Sequence, residues 1–288
     1  MTELDREQTL RELETESGTL RYHDVGAGEP LLFLHGSGPG VTGWRNFHRN
    51  LPFFAQHRRC LVLEFPGFGV SETTGQHPMA TAPGAVVRLL RGLGLGPVDV
   101  VGNSMGGVVA LQLATRKPDL FRRIVTVGGV GTGLTSTFPA EGMNLLMDFT
   151  DAPDRDALVR WLHAMVHDRA LVTDELVEER WQQATEPATL ASARAMYGRA
   201  AMTAARAHAA ASAAPPYWAM LHKITAPVLL TWGREDRVSP LDMALLPLST
   251  IPRAELHVFA NCGHWTMIEQ RAAWERAVLE FLQRPEAA

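Results

Sequence analysis

The stretch DVVGNSMGGVVAL, residues 99–111, constrains the fold more than any other part of the chain. An apolar run stops at Gly102, a lone Ser104 stands between Gly102 and Gly106, and helix-forming residues resume at once. A side chain on so sharp a strand-to-helix turn must take strained backbone angles. Residues without a Cβ two positions to either side let the neighbouring chain approach. The turn lifts the hydroxyl out of the sheet. It also leaves the Met105 amide in the first turn of a helix, where free N–H groups and the helix dipole favour negative charge. G-x-S-x-G spacing also arises by chance, so its meaning rests on whether the chain supplies the partners a serine nucleophile needs.

Those partners are a base, a carboxylate to orient it and a second oxyanion donor. LLFLHGSGPG (31–40) ends a strand in a glycine-rich turn able to aim the Ser37 amide at the oxyanion. WGREDRVSP (232–240) follows a strand and carries Asp236, and CGHW (262–265) follows the last strand and carries His264. Serine, acid and histidine come in the chain order of a strand-to-helix serine site. Glu235 is the rival acid, but adjacent side chains diverge, so only one faces His264, and its place in the motif favours Asp236. Cys262 lacks a glycine elbow and reads as a small loop residue. His163 and His167 have metal-ligand spacing without a third ligand and read as a solvated or packing pair, so no metal is expected. His35 reads as a structural hydrogen-bonder.

Strand-like runs at 31–35, 59–65, 98–102, 123–128, 226–233 and 254–259 alternate with helical ones such as 107–116 and 271–282. Several strands are apolar at both alternating positions, which predicts a mostly parallel sheet covered on both faces. Between about Thr132 and Pro216 only helices are expected, at 141–149, 155–167, 173–183 and 187–200, with an alanine-rich stretch, 200–214, that reads as a helix or a mobile segment. The expected organisation is a core in two parts, 1–131 and 217–288, with a helical lid at 132–216 over the carboxyl edge of the sheet, where open α/β sheets bind ligands. A net charge of −4 without a basic stripe argues against nucleic acid or a membrane surface as partner. The first residues lack the pattern of an export signal, which points to the cytosol, and the two cysteines are too few for a disulfide framework.

With HGSGPG followed by Trp44 and Asn46, then GNSMGG, GREDR and CGHW, the sequence resembles the α/β-hydrolase superfamily. More narrowly, it resembles the meta-cleavage product hydrolases, which cut a carbon–carbon bond in 2-hydroxy-6-oxo-hexa-2,4-dienoates from aromatic and steroid ring degradation. The resemblance runs from about Leu20 to Leu282. It implies a Ser104, Asp236, His264 triad, an oxyanion hole at Ser37 and Met105, and no cofactor. It further implies substrate contacts at Gly36, Gly38, Asn46, Asn103, Arg180 and Trp265, and a homo-oligomer, dimer or larger. The stretches 166–181 and 251–265 look like members that process large diseco-steroid or biaryl substrates. Departures from the family lie at Glu64, where aspartate is usual, and at Val238 and Ser239. The last two, with Met143, Leu146 and Met147, predict a wider or more polar distal pocket. A carboxylesterase or enol-lactone hydrolase would keep the triad with no use for a carboxylate clamp.

Overall fold

The computed structural model describes residues 4–72 and 76–285. One sheet holds β1 (Leu10–Leu13), β2 (Leu20–Val25), β3 (Pro30–Leu34), β4 (Arg59–Glu64), β5 (Val98–Asn103), β6 (Phe121–Val127), β7 (Val228–Gly233) and β8 (Ala254–Phe259), in the order β1-β2-β4-β3-β5-β6-β7-β8. From β4 to β8 all neighbours are parallel, and β1 and β2 extend the β4 edge antiparallel. The six expected strands are β3 to β8. β1 and β2 escape a search for apolar runs because LREL and LRYHDV mix charge into short strands, and β1 buries neither face fully.

Alternation along the parallel strands divides the core in two. Leu32, Leu34, Leu61, Leu63, Val100, Ile124 and Leu230 face one side. There they meet α1 (Pro78–Gly92) and α2 (Met105–Arg116) through Val86, Leu89, Val109 and Leu113. Leu31, Phe33, Val62, Val101, Val125 and Leu229 face the other, against Phe47, Phe54 and Trp274. Burying both faces suits parallel pairing, and each apolar side chain so enclosed contributes on the order of 2 kcal/mol.

Between β6 and β7 lie α3 (Glu141–Asp151), α4 (Arg155–Met165), α5 (Asp174–Ala184), α6 (Pro187–Tyr197) and α7 (Arg199–Ala211). Their starts are written in side chains: Asp154 accepts from Ala157 N at 2.6 Å, Thr173 from Leu176 N at 3.3 Å and Glu186 from Thr189 N at 2.7 Å. Two expected boundaries move. α4 stops at Met165 rather than 167, because Val166 turns extended and the Met165 carbonyl accepts instead from His264 N, at 2.8 Å. The 187–200 helix divides at Gly198, and the alanine-rich stretch forms α7 as far as Ala211. Phe149, Leu158, Trp161 and Leu162 merge with the second core, so the helical segment shares its packing with the sheet.

The strand order reverses at β3, which lies between β4 and β5, and the loops carrying Ser37 and Ser104 leave the carboxyl ends of β3 and β5 there. Their approach requires glycine. A Cβ on Gly106 would lie 2.1 Å from the Leu34 carbonyl oxygen, and one on Gly102 would lie 2.5 Å from Gly106 C. Gly106→Ala is therefore expected to cost about 3 kcal/mol of unfolding free energy or more. Gly96→Ala, where nothing lies within 4 Å, should stay within about 0.5 kcal/mol. Denaturant titration of the two variants checks the contrast.

Candidate active site

Ser104 has φ 49° and ψ −110°, one of two described non-glycine residues at positive φ. Its amide donates to the Val127 carbonyl at 2.8 Å and its carbonyl accepts from Val108 N at 3.0 Å, which fixes the turn between β5 and α2 against β6. His264 Nδ1 lies 2.7 Å from Asp236 Oδ2, and Asp236 Oδ1 accepts from the amides of Val238 and Ser239, both at 2.8 Å. The carboxylate is thus held on one side and offered to the imidazole on the other. Glu235, the rival acid, turns away: it accepts from Cys262 N at 3.0 Å and from Arg234 Nε at 2.7 Å.

Ser104 and His264 line one cavity, together with Gly36, Ser37, Gly38, Asn103, Arg180 and Trp265. Gly128 and Gly129, which sequence reasoning missed, pack directly against them. A Cβ on Gly128 would sit 3.0 Å from His264 Cε1 and 3.2 Å from Asp236 Oδ2, and one on Gly129 would sit 2.8 Å from Ser104 Oγ. Two consecutive residues at the end of β6 therefore touch all three members of the serine, histidine and acid set. The signal was a Gly-Gly pair directly after a predicted strand.

Among the described residues, no protein acceptor pairs with the Ser37 or Met105 amide. Asn46 Oδ1 accepts from Gly36 N at 2.9 Å, and Asn103 Nδ2 donates to Val127 O at 3.0 Å, so both asparagines brace the loops around the serine. Asn46 itself lines the neighbouring cavity, with Arg180 and Trp265, rather than the one holding Ser104. His35 donates from Nδ1 to the Gly36 carbonyl at 2.6 Å and accepts Phe65 N–H at Nε2 at 3.0 Å, the structural role expected of it; burial pushes its pKa down. Glu64 accepts from Gly43 and Trp44 amides at 2.6 and 2.8 Å, capping the short helix Gly43–Phe47 that carries Asn46. It therefore shapes the site from beneath. Its neighbours His23 and His35 and those two amides outweigh desolvation and hold the carboxyl below its usual range.

Arg180 on α5 is 2% exposed, and no carboxylate among the described residues lies within ion-pair distance of it. Its guanidinium lies over the Trp265 ring, 5.0 Å from the centroid, and one N–H reaches the Pro39 carbonyl at 3.3 Å, while Nε has no partner. Burial, with Arg45 beside it, brings its pKa down to about 9. Asn46 Nδ2 and Trp161 Nε1 are likewise buried donors without acceptors. Such a cluster costs free energy unless an acceptor fills it. The backbone of Arg180 is admitted by Gly40, where a Cβ would lie 2.3 Å from the Arg180 carbonyl oxygen.

The remainder of the cavity wall is Val41, Met143, Leu146, Trp161, Met165, Tyr197 and Val238. Of the five distal residues expected, Met143, Leu146 and Val238 line it, and Met147 and Ser239 do not. Met147 is buried on α3, and Ser239 spends its amide on Asp236 and its carbonyl on Trp232 Nε1. The distal residues that do line the cavity, Met143, Leu146 and Val238, are apolar. Trp161, Met165 and Tyr197 were missed because the periodicity of α4 and α6 marks them simply as core. Tyr197 OH is hydrogen-bonded to Ser37 Oγ, joining α6 to the loop after β3.

These features define an α/β hydrolase, and residues 29–270 match the alpha/beta hydrolase fold family. A 2-hydroxy-6-oxononadienedioate/2-hydroxy-6-oxononatrienedioate hydrolase from Burkholderia vietnamiensis is 38% identical, covering 93% of either chain. A 2-hydroxy-6-oxo-6-phenylhexa-2,4-dienoate hydrolase from Burkholderia cepacia is 34% identical over 98% of this chain and 99% of its own. The solved meta-cleavage product hydrolase of Pseudomonas fluorescens IP01, a mutant complexed with acetates, superposes with a TM-score of 0.84 at 29% identity, covering 94% and 97% of the two chains. The chain belongs to the meta-cleavage product hydrolases of the α/β-hydrolase fold.

Cys262 stands two residues from His264, yet burial and the carboxylates of Glu269, Asp236 and Glu235 drive its thiol far above the ordinary range, and burial pushes Cys60 up to about 12. Neither supplies thiolate near neutrality. Iodoacetamide at pH 8 is expected to leave both unmodified in the native protein and to alkylate both after unfolding, as read by intact mass.

Proposed function

We propose that this chain hydrolyses the C5–C6 bond of 2-hydroxy-6-oxo-hexa-2,4-dienoates whose C6 substituent is uncharged and largely apolar. The observation that carries the reading is Arg180: a buried guanidinium with no carboxylate partner, in the wall of the cavity that holds Ser104 and His264. An ester hydrolase has no need of it. The substrate carboxylate meets Arg180 with Asn46 and Trp265 beside it, and the C6 group lies among Met143, Leu146, Trp161, Met165 and Val238. The second carboxylate of a nonadienedioate finds no cation among those five.

His264 assists transfer of the 2-hydroxyl proton to C5, giving the keto tautomer, whose 2-oxo group is the electron sink for cleavage. Ser104 Oγ then adds to the C6 ketone while His264 takes its proton, or else water adds at the same carbon, activated through Ser104 and His264. The developing oxyanion is held by the Ser37 and Met105 amides; one such donor contributes about 3 kcal/mol. Asp236 holds the tautomer of His264 and stabilises its cation. The C5–C6 electron pair passes to C5 and into the 2-oxo group, whose oxygen takes the proton held by His264, yielding a 2-hydroxypenta-2,4-dienoate. C6 leaves as the second carboxylic acid, released by water where a serine ester has formed. No cofactor takes part in this scheme.

Residues 132–216 act in this reading as a lid on a core of 1–131 and 217–288. Among the described residues no helix is long and apolar enough to cross a membrane. A homo-oligomer, supported by the sequence resemblance, belongs to the same proposal, as does a cytosolic location.

The test is a panel of coloured ring-fission products followed by loss of absorbance. The 6-aryl or bulky 6-alkyl compounds should be cleaved, with kcat/KM at least about tenfold above the dicarboxylate, since an unpaired buried charge is costly. Ser104→Ala should lower kcat by roughly a thousandfold or more. An active Ser104→Ala variant, or a preference for the dicarboxylate, overturns the reading.

The Tyr197–Ser37 bond gives a further expectation. Burial raises the Tyr197 phenol, which stays protonated through the neutral range. Tyr197→Phe and Ser37→Ala are each expected to lower kcat several-fold with little change in KM. The double variant should be no worse than the poorer single one, since both remove the same bond.

A further inference from the structure

Beyond the Arg180–Trp265 pair lies a second cavity, of about 440 Å³, of which the catalytic scheme uses only Asn46, Arg180 and Trp265 in its floor. One wall is Trp44, Arg45, Asn46, His48 and Arg49, on and just after the helix Gly43–Phe47. The facing wall runs from Ala170 to Arg180 and includes Glu175 and Glu179, and Arg6 closes one side. Its rim is exposed at Arg6, Arg49, Glu175 and Glu179, and its floor is buried at Thr42, Asn46, Arg180 and Trp265. It is therefore a funnel from solvent to the Arg180–Trp265 pair, which also walls the catalytic cavity. No residue lining the catalytic cavity is itself exposed.

Charge in the funnel is unbalanced. Arg6, Arg45, Arg49 and Arg180 face Glu175 and Glu179. Arg45 is paired with Glu179 only at 3.8 Å, and the two unpartnered donors Arg180 Nε and Asn46 Nδ2 lie in the floor. A concave wall of low dielectric with surplus positive charge raises the local concentration of anions and speeds their capture.

We propose that this funnel is a capture site for organic carboxylates, whose surplus of arginines draws the substrate's carboxylate to Arg45 and Arg49 before it passes to Arg180. The substrate named here rests on the function proposed above, whereas the anion site rests on the funnel alone. The charged rim selects against neutral esters before any bond is made or broken.

The experiment separates the two. Benzoate, which is not a substrate, is titrated against the intrinsic fluorescence of Trp44 and Trp265, with and without salt, and kcat/KM for a cleaved dienoate is measured over the same range. Arg45→Gln should weaken benzoate and lower dienoate kcat/KM by about fivefold to tenfold at low ionic strength. The difference should shrink to within about twofold at 0.5 M salt, where screening acts over a few ångströms. Glu179→Gln should shift both quantities the other way, which damage to the fold would not do. Hydrolysis of p-nitrophenyl acetate by the unaltered protein should show no such salt dependence. Opposite charge changes that move benzoate binding in the same direction, or not at all, overturn the capture site. Normal benzoate binding without dienoate turnover instead overturns the proposed function and leaves the site standing.

Discussion

The site depends on a single strained residue. At φ 49° and ψ −110°, Ser104 sits in backbone space that costs an ordinary side chain about 1–3 kcal/mol. The surroundings impose it. β5 is hydrogen-bonded to β3 on one side and β6 on the other, α2 begins at the next residue, and the Ser104 amide is committed to the Val127 carbonyl. Gly106 meets the Leu34 backbone and Gly129 meets Ser104 itself, at distances no Cβ allows. The sheet pairing and the two apolar layers supply far more than this strain costs. The hydroxyl therefore stays in place without rearranging when a substrate arrives.

Charges buried near that serine are treated in two ways. Asp236 and Glu64 each accept from backbone amides and face an imidazole, at 2.7 Å from His264 and 3.3 Å from His23. Arg180 has one carbonyl, one aromatic face and no anion. A buried ion costs several kcal/mol unless compensated, so a fold that retains one uncompensated leaves room for a ligand to provide the opposite charge. In the proposed function, the substrate carboxylate would supply that opposite charge to Arg180.

What could be read from the residues follows from how local each determinant is. The six parallel strands, the elbow, and the Asp236 and His264 loops are legible because a few adjacent residues specify each of them. β1 and β2 are not, since their pairing is set by β4 across the sheet rather than by their own pattern. Tyr197, Trp161 and Met165 look like ordinary helix core; only the packing of α4 and α6 over the end of β3 turns them toward Ser37 and Ser104. Ser239 shows the converse, a residue in a promising motif that does not line the cavity and whose backbone amide and carbonyl serve Asp236 and Trp232.

The two sources of side chains explain how such a fold can change substrate and keep its chemistry. Ser104, Ser37, Asp236 and His264 stand on loops at the carboxyl ends of strands, whereas Met143, Leu146, Trp161, Met165, Arg180 and Tyr197 come from the helices between β6 and β7. The two sets are joined by backbone bonds that ignore side-chain identity. His264 N donates to the Met165 carbonyl at 2.8 Å, and Gly142 N to the Arg237 carbonyl at 2.9 Å. Replacing a residue on α3 or α4 can then alter what the cavity admits and leave the imidazole where it is. Arg180 is the exception, because its backbone is clasped by Gly40 and its guanidinium leans on Trp265, next to His264. A change there would reach both the Gly40 loop and Trp265, whereas a change at Met143 or Leu146 would not.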